Sequence, residues 1–294
     1  MTSIALVTGA SSGMGNQAAL RLWERGVRVY AAARRSMPDL EVLGVRTLHM
    51  DVTSEDSISE GMATLLRETG GRLDILVNDA GYGSFGTIEE VPISEARHQF
   101  EVNVFGAMRL VQLVLPTMLA AGHGRIVNVS SIGGLFATAP AGWYHATKYS
   151  IEALSDVLRQ EVGPHGVEVV LVEPGLIRTD FMKIAAQHMR QTSGLGRYSA
   201  LVRGYADAFD FIADGYAGTD PAVLGKVIAN AATTKRPRAR YRRGFGAIML
   251  PTAHSLLPDK AFDAAMVWSF SHLDQIVAAA RKVVGGTNHS DKEQ

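Results

Sequence analysis

Six short, largely apolar runs, Ile4 to Val7, Val27 to Ala32, Val45 to Met50, Leu73 to Val77, Arg125 to Val129 and Val167 to Val172, alternate with segments of helical period. A strand exposed on one face alternates polar and apolar residues, whereas a strand that stays apolar is covered on both faces. Such strands, separated by helices, build a parallel sheet with helices on either side. The chain is therefore expected to form a three-layer α/β/α fold on a doubly wound parallel sheet, with helices at roughly 14–25, 54–69, 93–121 and 143–163. Beyond Pro174 the alternation fails. Residues 176–218, rich in glycine and aromatics, read as a lid, 245–284 as a C-terminal helical extension and 285–294 as a frayed polar tail. With 294 residues, 47% of them hydrophobic, a single domain over 1–284 has ample material for its core.

Lysine plus arginine equals aspartate plus glutamate at 29 each, so no overall field draws in nucleic acid or an anionic membrane. The expected partner is a small molecule. The absence of cysteine excludes disulfides and thiolate chemistry and agrees with a cytoplasmic protein. No cationic leader precedes the first run. The longest apolar stretch, Leu110 to Ala121, is interrupted by Gln112, Pro116 and Thr117 and falls short of the ~18–20 residues of a membrane span. The 9 histidines show no metal-ligand spacing supported by acids, so no metal is expected.

The first run opens directly into Thr8-Gly9-Ala10-Ser11-Ser12-Gly13-Met14-Gly15. Glycines where a strand turns into a helix let backbone amides and the helix N-terminus approach a pyrophosphate. The spacing is G-x-x-x-G-x-G rather than G-x-G-x-x-G, and no Lys-Ser or Lys-Thr follows, which disfavours kinases and P-loop NTPases. The second run leads into Arg34-Arg35. A ribose 2′-hydroxyl calls for a carboxylate at that point and a 2′-phosphate for a cation, so NADP(H) is favoured over NAD(H). Asp51, followed by Val52, closes the third run, where a carboxylate is placed to accept the adenine amino group; an aspartate there equally suits a turn.

Tyr144 and Lys148 stand four residues apart, on one face of a predicted helix, and Ser131 ends the preceding strand. A free phenol titrates near ~10, and a neighbouring ammonium favours the phenolate and brings it toward neutrality. Ser131, on the carboxyl edge of the sheet, is placed to hydrogen-bond a substrate oxygen.

These stretches, together with Asn78-Asp79-Ala80-Gly81, Asn103-Val104-Phe105-Gly106 and Pro174-Gly175-Leu176-Ile177-Arg178-Thr179, follow in order. In that order and spacing, residues 4 to about 180 resemble the single-domain branch of the short-chain dehydrogenase/reductase family. The resemblance implies a Rossmann fold and a catalytic tetrad. Asn103 fixes a water relay at a bend in its helix, Ser131 holds the carbonyl, Tyr144 exchanges the proton, and Lys148 lowers the tyrosine pKa and binds the nicotinamide ribose. It further implies cofactor contacts at Gly9, Ser11, Ser12, Gly13, Met14 and Gly15, at Arg34, Arg35, Asp51 and Val52, and at Asn78, Ala80 and Gly81. Pro174 and Gly175 let the backbone pass the nicotinamide, Ile177 meets its carboxamide and Thr179 bonds it. The protein orients the groups while the cofactor supplies the hydride. One departure stands out: the family usually has Asn-Asn-Ala-Gly where this chain has Asp79. Aspartate keeps the shape of asparagine, loses the amide donor and brings a carboxyl, which bears on stability or cofactor affinity more than on the chemistry.

Phe181, Met182, Met189, Tyr198, Tyr205, Phe209, Phe211 and Tyr216 suit a roomy apolar pocket and the packing of a helical lid equally well. Trp143 reads as an anchor for an apolar substrate or as helix packing. Among family members the hydroxysteroid and retinol dehydrogenase-like proteins are most similar, which implies a bulky hydrophobic ketone or secondary alcohol. Lys235 to Arg243 reads as a final edge strand whose outward arginines resist unwanted pairing. Phe262, Met266, Phe270, Leu273, Val277 and Ala280 keep helical spacing and are expected to pack on the body or on a second subunit. Phe100, Val104, Val111, Leu115 and Met118 on one helix, and Ile151, Leu154 and Leu158 on another, should cover the sheet. The family commonly pairs those two helices between subunits, which implies a homodimer or homotetramer. A cofactor-binding sensor without turnover is the alternative, although such proteins typically lose the tyrosine or lysine kept here. A sugar-nucleotide epimerase would need a larger C-terminal domain.

Overall fold

The computed structural model describes residues 2–272 and residue 275. Seven strands, β1 (Ile4–Thr8), β2 (Arg28–Ala33), β3 (Arg46–His49), β4 (Ile75–Asn78), β5 (Gly124–Val129), β6 (Val167–Pro174) and β7 (Arg240–Arg243), form one parallel sheet in the order β3-β2-β1-β4-β5-β6-β7. β1 pairs with β2 on one side and β4 on the other. The winding reverses there and opens a crevice beyond the carboxyl ends of those strands, where ligands of such sheets bind.

Helices cover both faces. On one, α1 (Gly13–Trp23) and α9 (Pro221–Thr233) bury Ala18, Leu22, Leu224 and Ile228 with Val7, Val77 and Val127 of the sheet. Between β2 and β3 runs the short α2 (Pro38–Val42). On the other face α3 (Glu55–Thr69), α5 (Gly106–Ala121) and α6 (Gly142–Val162) bury Leu65, Leu110 and Leu158 with Leu6, Leu76 and Ile126. Each fully buried side chain of this kind contributes about 1.5–3 kcal/mol of transfer free energy. α3 begins where the Ser57 N–H donates to Ser54 Oγ and ends at Gly70, whose φ of 66° closes the last turn.

α4 (Ile93–Phe100) runs into α5 through a π-helical turn at Glu101–Phe105, so the expected helix over 93–121 is continuous but locally widened. By length and composition Ile93–Ala121 is apolar enough to cross a membrane. Here Leu110, Val114 and Met118 are at most 1% exposed and lie in the same apolar cluster as Leu6, Leu76 and Ile126, so the helix serves as core.

β7 is the expected edge strand, but two of its arginines do not point outward. Arg240 contacts Asp156 at 2.7 Å and Glu173 at 3.0 Å, and Arg242 contacts Glu173 at 2.7 Å. Glu173, on the neighbouring β6, is fully buried, and a buried carboxylate requires compensating charge. Leu154 is likewise turned out, 40% exposed, rather than covering the sheet. After β6, α7 (Asp180–Ser193) and α8 (Ser199–Ala213) form an apolar cluster of their own with Phe85 and Ala141. α10 (Met249–Leu256) and α11 (Asp259–Ser271) follow β7, and Phe262 packs edge-on against Phe136 with centroids 6.0 Å apart. Leu273, Val277, Ala280 and the polar tail 285–294 lie outside the described residues.

Candidate active site

The β1–α1 turn is shaped by close backbone packing. Gly9 (φ 69°) and Gly13 (φ 61°) adopt the left-handed conformation, and a Cβ on Gly9 would lie 2.9 Å from the Ala80 nitrogen. The Thr8 hydroxyl braces the same contact, accepting the N–H groups of Asp79 and Ala80 at 3.1 Å each. The helix α1 N-terminus therefore opens freely onto the crevice. Arg35 Nη2 donates to Ser11 Oγ at 3.1 Å and Ser12 Oγ at 2.9 Å, which sets a guanidinium beside the turn. Asp51 accepts both the N–H and the hydroxyl of Thr53, at 2.9 and 2.8 Å. Burial pushes the Asp51 carboxyl up, but those bonds and the Arg34 charge prevail and hold it below its usual value. Amide-lined glycine turn, hydroxyls and paired guanidinium fit a dinucleotide carrying several phosphate charges.

At the opposite side of the crevice, β5 delivers Ser131 and the first turns of α6 deliver Tyr144 and Lys148. Ser131 Oγ accepts the Gly133 N–H at 3.0 Å and is hydrogen-bonded with Tyr144. Lys148 Nζ donates to the Val129 carbonyl at 3.0 Å and lies 5.9 Å from the Tyr144 ring centroid. The expected depression of the tyrosine pKa by this ammonium is corrected: burial pushes the phenol up to about 12, against the Ser131 hydrogen bond. Lys148 is itself pushed down to about 8 by burial, against the pull of Asp79 and Glu152. At neutral pH the pair is a neutral phenol above an ammonium.

One cavity of about 1110 Å³ joins the two sides. Every site residue singled out from the sequence lines it except Gly15, Asn78 and Asn103. Gly15 is packed beneath the turn, where a Cβ would lie 2.6 Å from both Asp79 Oδ2 and the Gly9 oxygen. Asn78 is corrected to a strut inside the sheet, its amide donating to Asn128 Oδ1 at 2.9 Å. Asn103 sits in the π turn, accepts the Tyr82 N–H at 3.0 Å and donates to the Tyr82 carbonyl at 2.9 Å and Thr147 Oγ1 at 3.1 Å. The wide turn thus ties the loop after β4 to α6. Trp143, half-buried in the first turn of α6, does not line the cavity.

Above Tyr144 the walls are apolar. Phe85 lies 5.0 Å from the tyrosine ring, and Phe181 and Phe209 meet Phe85 edge-on. Of the lid residues, Phe181, Met182, Tyr205, Phe209 and Phe211 line the cavity, whereas Met189 is core, and neither Tyr198, bonded to Glu89, nor Tyr216 lines it. Sequence reasoning missed His145 and the C-terminal contribution. The His145 ring bridges the Gly133 carbonyl at 2.8 Å and the Thr138 N–H at 3.1 Å, fixing the loop that carries Ser131. Burial lowers its pKa, which keeps one nitrogen free to accept. Leu250 and Met266 close the cavity from α10 and α11. The adjacency of His145 to Tyr144 was a visible signal; that of the last helices was not.

A family model described as short chain dehydrogenase matches residues 3–190. The chain is 33% identical over 269 residues to a 3-ketodihydrosphingosine reductase of Bacteroides thetaiotaomicron, covering 90% of this chain and 96% of that protein. It is 31% identical over 284 residues to an NADPH-dependent 3-dehydrocapnine reductase of Ornithobacterium rhinotracheale, covering 92% and 98%. Among solved structures, a short-chain dehydrogenase from Streptomyces avermitilis superposes with a TM-score of 0.74 at 32% identity, over 92% of this chain and 96% of that one.

Proposed function

Since the chain belongs to the short-chain dehydrogenase family, we propose that it is an NADP(H)-dependent reductase of a ketone with a large apolar body, steroid- or retinoid-like in bulk. The observation that carries this reading is the Ser131–Tyr144 pair at the junction of the glycine turn and an apolar cavity. Gly9, Ser11, Ser12, Gly13 and Met14 hold the pyrophosphate side of the cofactor, Arg34 and Arg35 the 2′-phosphate, and Asp51 and Val52 the adenine. Ala80 and Gly81 form the floor, while Pro174, Gly175, Ile177 and Thr179 flank the nicotinamide. When bound, the cofactor supplies the hydride to the carbonyl carbon.

Ser131 orients the carbonyl oxygen, and Tyr144 gives its phenolic proton to that oxygen as negative charge develops there. A phenol that burial pushes up to about 12 stays protonated at neutral pH, the form that can donate to the developing oxyanion. The Lys148 ammonium offsets the phenolate left behind and is then positioned to favour return of the proton. Asn103 acts through its neighbours, holding the loop at Tyr82 and the helix at Thr147. The apolar wall at Phe85, Phe181 and Phe209 receives the substrate body and keeps water from the reacting carbonyl. Both relatives named above are reductases, which weighs against a sensor without turnover.

We further propose pairing through α5 and α6, supported by exposed apolar residues between their covered faces: Phe105, just before α5, is 54% exposed, and Val157 on α6 is 52% exposed. NADPH consumption by the purified protein, assayed beside NADH against steroidal, retinoid, long-chain aliphatic and quinone-like ketones, tests the main reading. NADPH-dependent turnover of an apolar ketone is the expected result. Tight NADPH binding with no turnover across the panel would instead favour the sensor.

A further inference from the structure

Asp79 has a place in this site that its likeness in shape to asparagine does not explain. Its main chain is fixed by Thr8, and its carboxyl accepts the Gly15 N–H beneath the N-terminus of α1. Oδ2 occupies the space a Gly15 side chain would fill, and Oδ1 is buried with no hydrogen-bond partner among the described residues. A buried carboxylate oxygen without a donor is costly, whereas a neutral carboxyl carries an O–H donor like the amide of the asparagine usual here.

The groups facing this carboxyl can be named. From α6 comes Lys148, backed one turn later by Glu152; from α1 comes the Gly15 N–H; on β1 the neutral Thr8 hydroxyl holds the Asp79 main-chain N–H. Arg34, Arg35 and Asp51 line the same cavity from the ends of β2 and β3, and Tyr144 from α6. Asp79 lines the cavity together with Gly9, Ser11, Ser12 and Gly13, and the Gly15 N–H it accepts belongs to the first turn of α1, whose N-terminus faces that cavity. An ionised Asp79 and an anionic ligand therefore compete for one positive helix end.

We propose that Asp79 is a proton-accepting member of the cofactor site, so that the anionic cofactor and one proton from solvent bind together, the proton residing on the Asp79 carboxyl. This rests on the nicotinamide dinucleotide reading above. Burial already pushes the carboxyl up to about 7, against Lys148 and the Gly15 N–H, so phosphates arriving above it find a group ready to take up a proton. By linkage, a ligand that raises this pKa binds more weakly as pH rises above the free-state value. Lys148 contributes a second loss of charge at higher pH in any variant that keeps it. The wild type thus gives up two positive equivalents where Asp79→Asn gives up one.

The test is an infrared difference titration of wild type and Asp79→Asn with NADPH at pH 8, beside affinity measurements from pH 6 to 9. Expected are a neutral-carboxyl C=O band that grows on binding, its absence in Asp79→Asn, and near-equal affinities at pH 6. At pH 8 the variant should bind roughly three- to tenfold more tightly. Labelling the wild type with carboxyl-13C aspartate assigns the band to an aspartate without any variant. Binding with no carboxyl band and with parallel pH slopes overturns the inference and leaves the cofactor reading standing. Failure of both proteins to bind NADPH at any pH overturns the cofactor reading and this inference with it.

Discussion

On the cradle side of the cavity, the Gly9 and Gly15 positions are fixed by backbone neighbours, with a side-chain carbon excluded at 2.9 and 2.6 Å. On the lid side, Phe85 meets Phe181 and Phe209 edge-on at centroid distances of 6.0 and 5.4 Å, contacts that other apolar side chains can replace with some repacking. The cradle thus specifies residue and position together, while the lid specifies only character and volume. Affinity for a cofactor should accordingly be brittle to single atoms, and selectivity for a substrate should be graded.

The largest effect tests the seam between the two walls. Tyr144→Phe removes one proton donor and no wall, so turnover should fall by about 10²–10⁴, with NADPH affinity nearly unchanged, as read by steady-state kinetics and fluorescence titration. Gly9→Ala sharpens the contrast from the cradle side. Overpacking costs about 1–3 kcal/mol, with left-handed strain adding roughly 1–2 kcal/mol, so the variant should melt lower and bind NADPH at least tenfold more weakly. A fully tolerated Gly9→Ala would break the comparison.

How much of this was open to reading from the chain alone follows the same division. The five inner strands were legible because two-sided burial leaves an apolar run, the edge strand β3 by its alternation about buried Leu48, and Tyr144 and Lys148 because a shared helix face requires their spacing. Arg240 and Arg242 were legible as strand but not in direction, since their turn toward β6 depends on a fully buried Glu173 far away in sequence. The Tyr144 pKa was misjudged for a similar reason: spacing reveals the lysine, while the burial that outweighs it is set by Phe85 and the lid. Asn78 looked like cofactor floor until its partner Asn128, on the neighbouring strand, placed it inside the sheet. Met266 lines the cavity on the helix that docks Phe262 against Phe136, a contact between segments far apart in sequence.

A charge effect on the cradle side comes next. Arg34→Ala should weaken NADPH by about 1.5–3 kcal/mol, a charge-assisted contact, and NADH hardly at all. Equal losses for both cofactors would remove the 2′-phosphate from the account of this wall. Turnover should also fall as pH rises through about 8, where buried Lys148 loses its proton, by roughly tenfold for each further unit. The phenol, held near 12, adds no acid limb or alkaline limb of its own in the working range. A flat profile to pH 10 would show that the ammonium is not needed for turnover.

The smallest effect belongs to the lid. Phe209 is nearly buried, meets Phe85 and Tyr205 edge-on and lines the cavity, so Phe209→Leu removes one ring from a wall that retains Phe181 and Tyr205. Volume-near apolar exchanges cost less than about 1.5 kcal/mol, so stability should shift little and KM should change several-fold, unequally between bulky and slender ketones. NADPH affinity should not move, because the ring partners of Phe209 among the described residues, Phe85 and Tyr205, lie outside the glycine turn. The informative quantity is the ratio of kcat/KM values across the ketone series. If that ratio stays constant while NADPH binding weakens, the two walls are one mechanical unit, and the division between a cradle set by position and a lid set by volume fails.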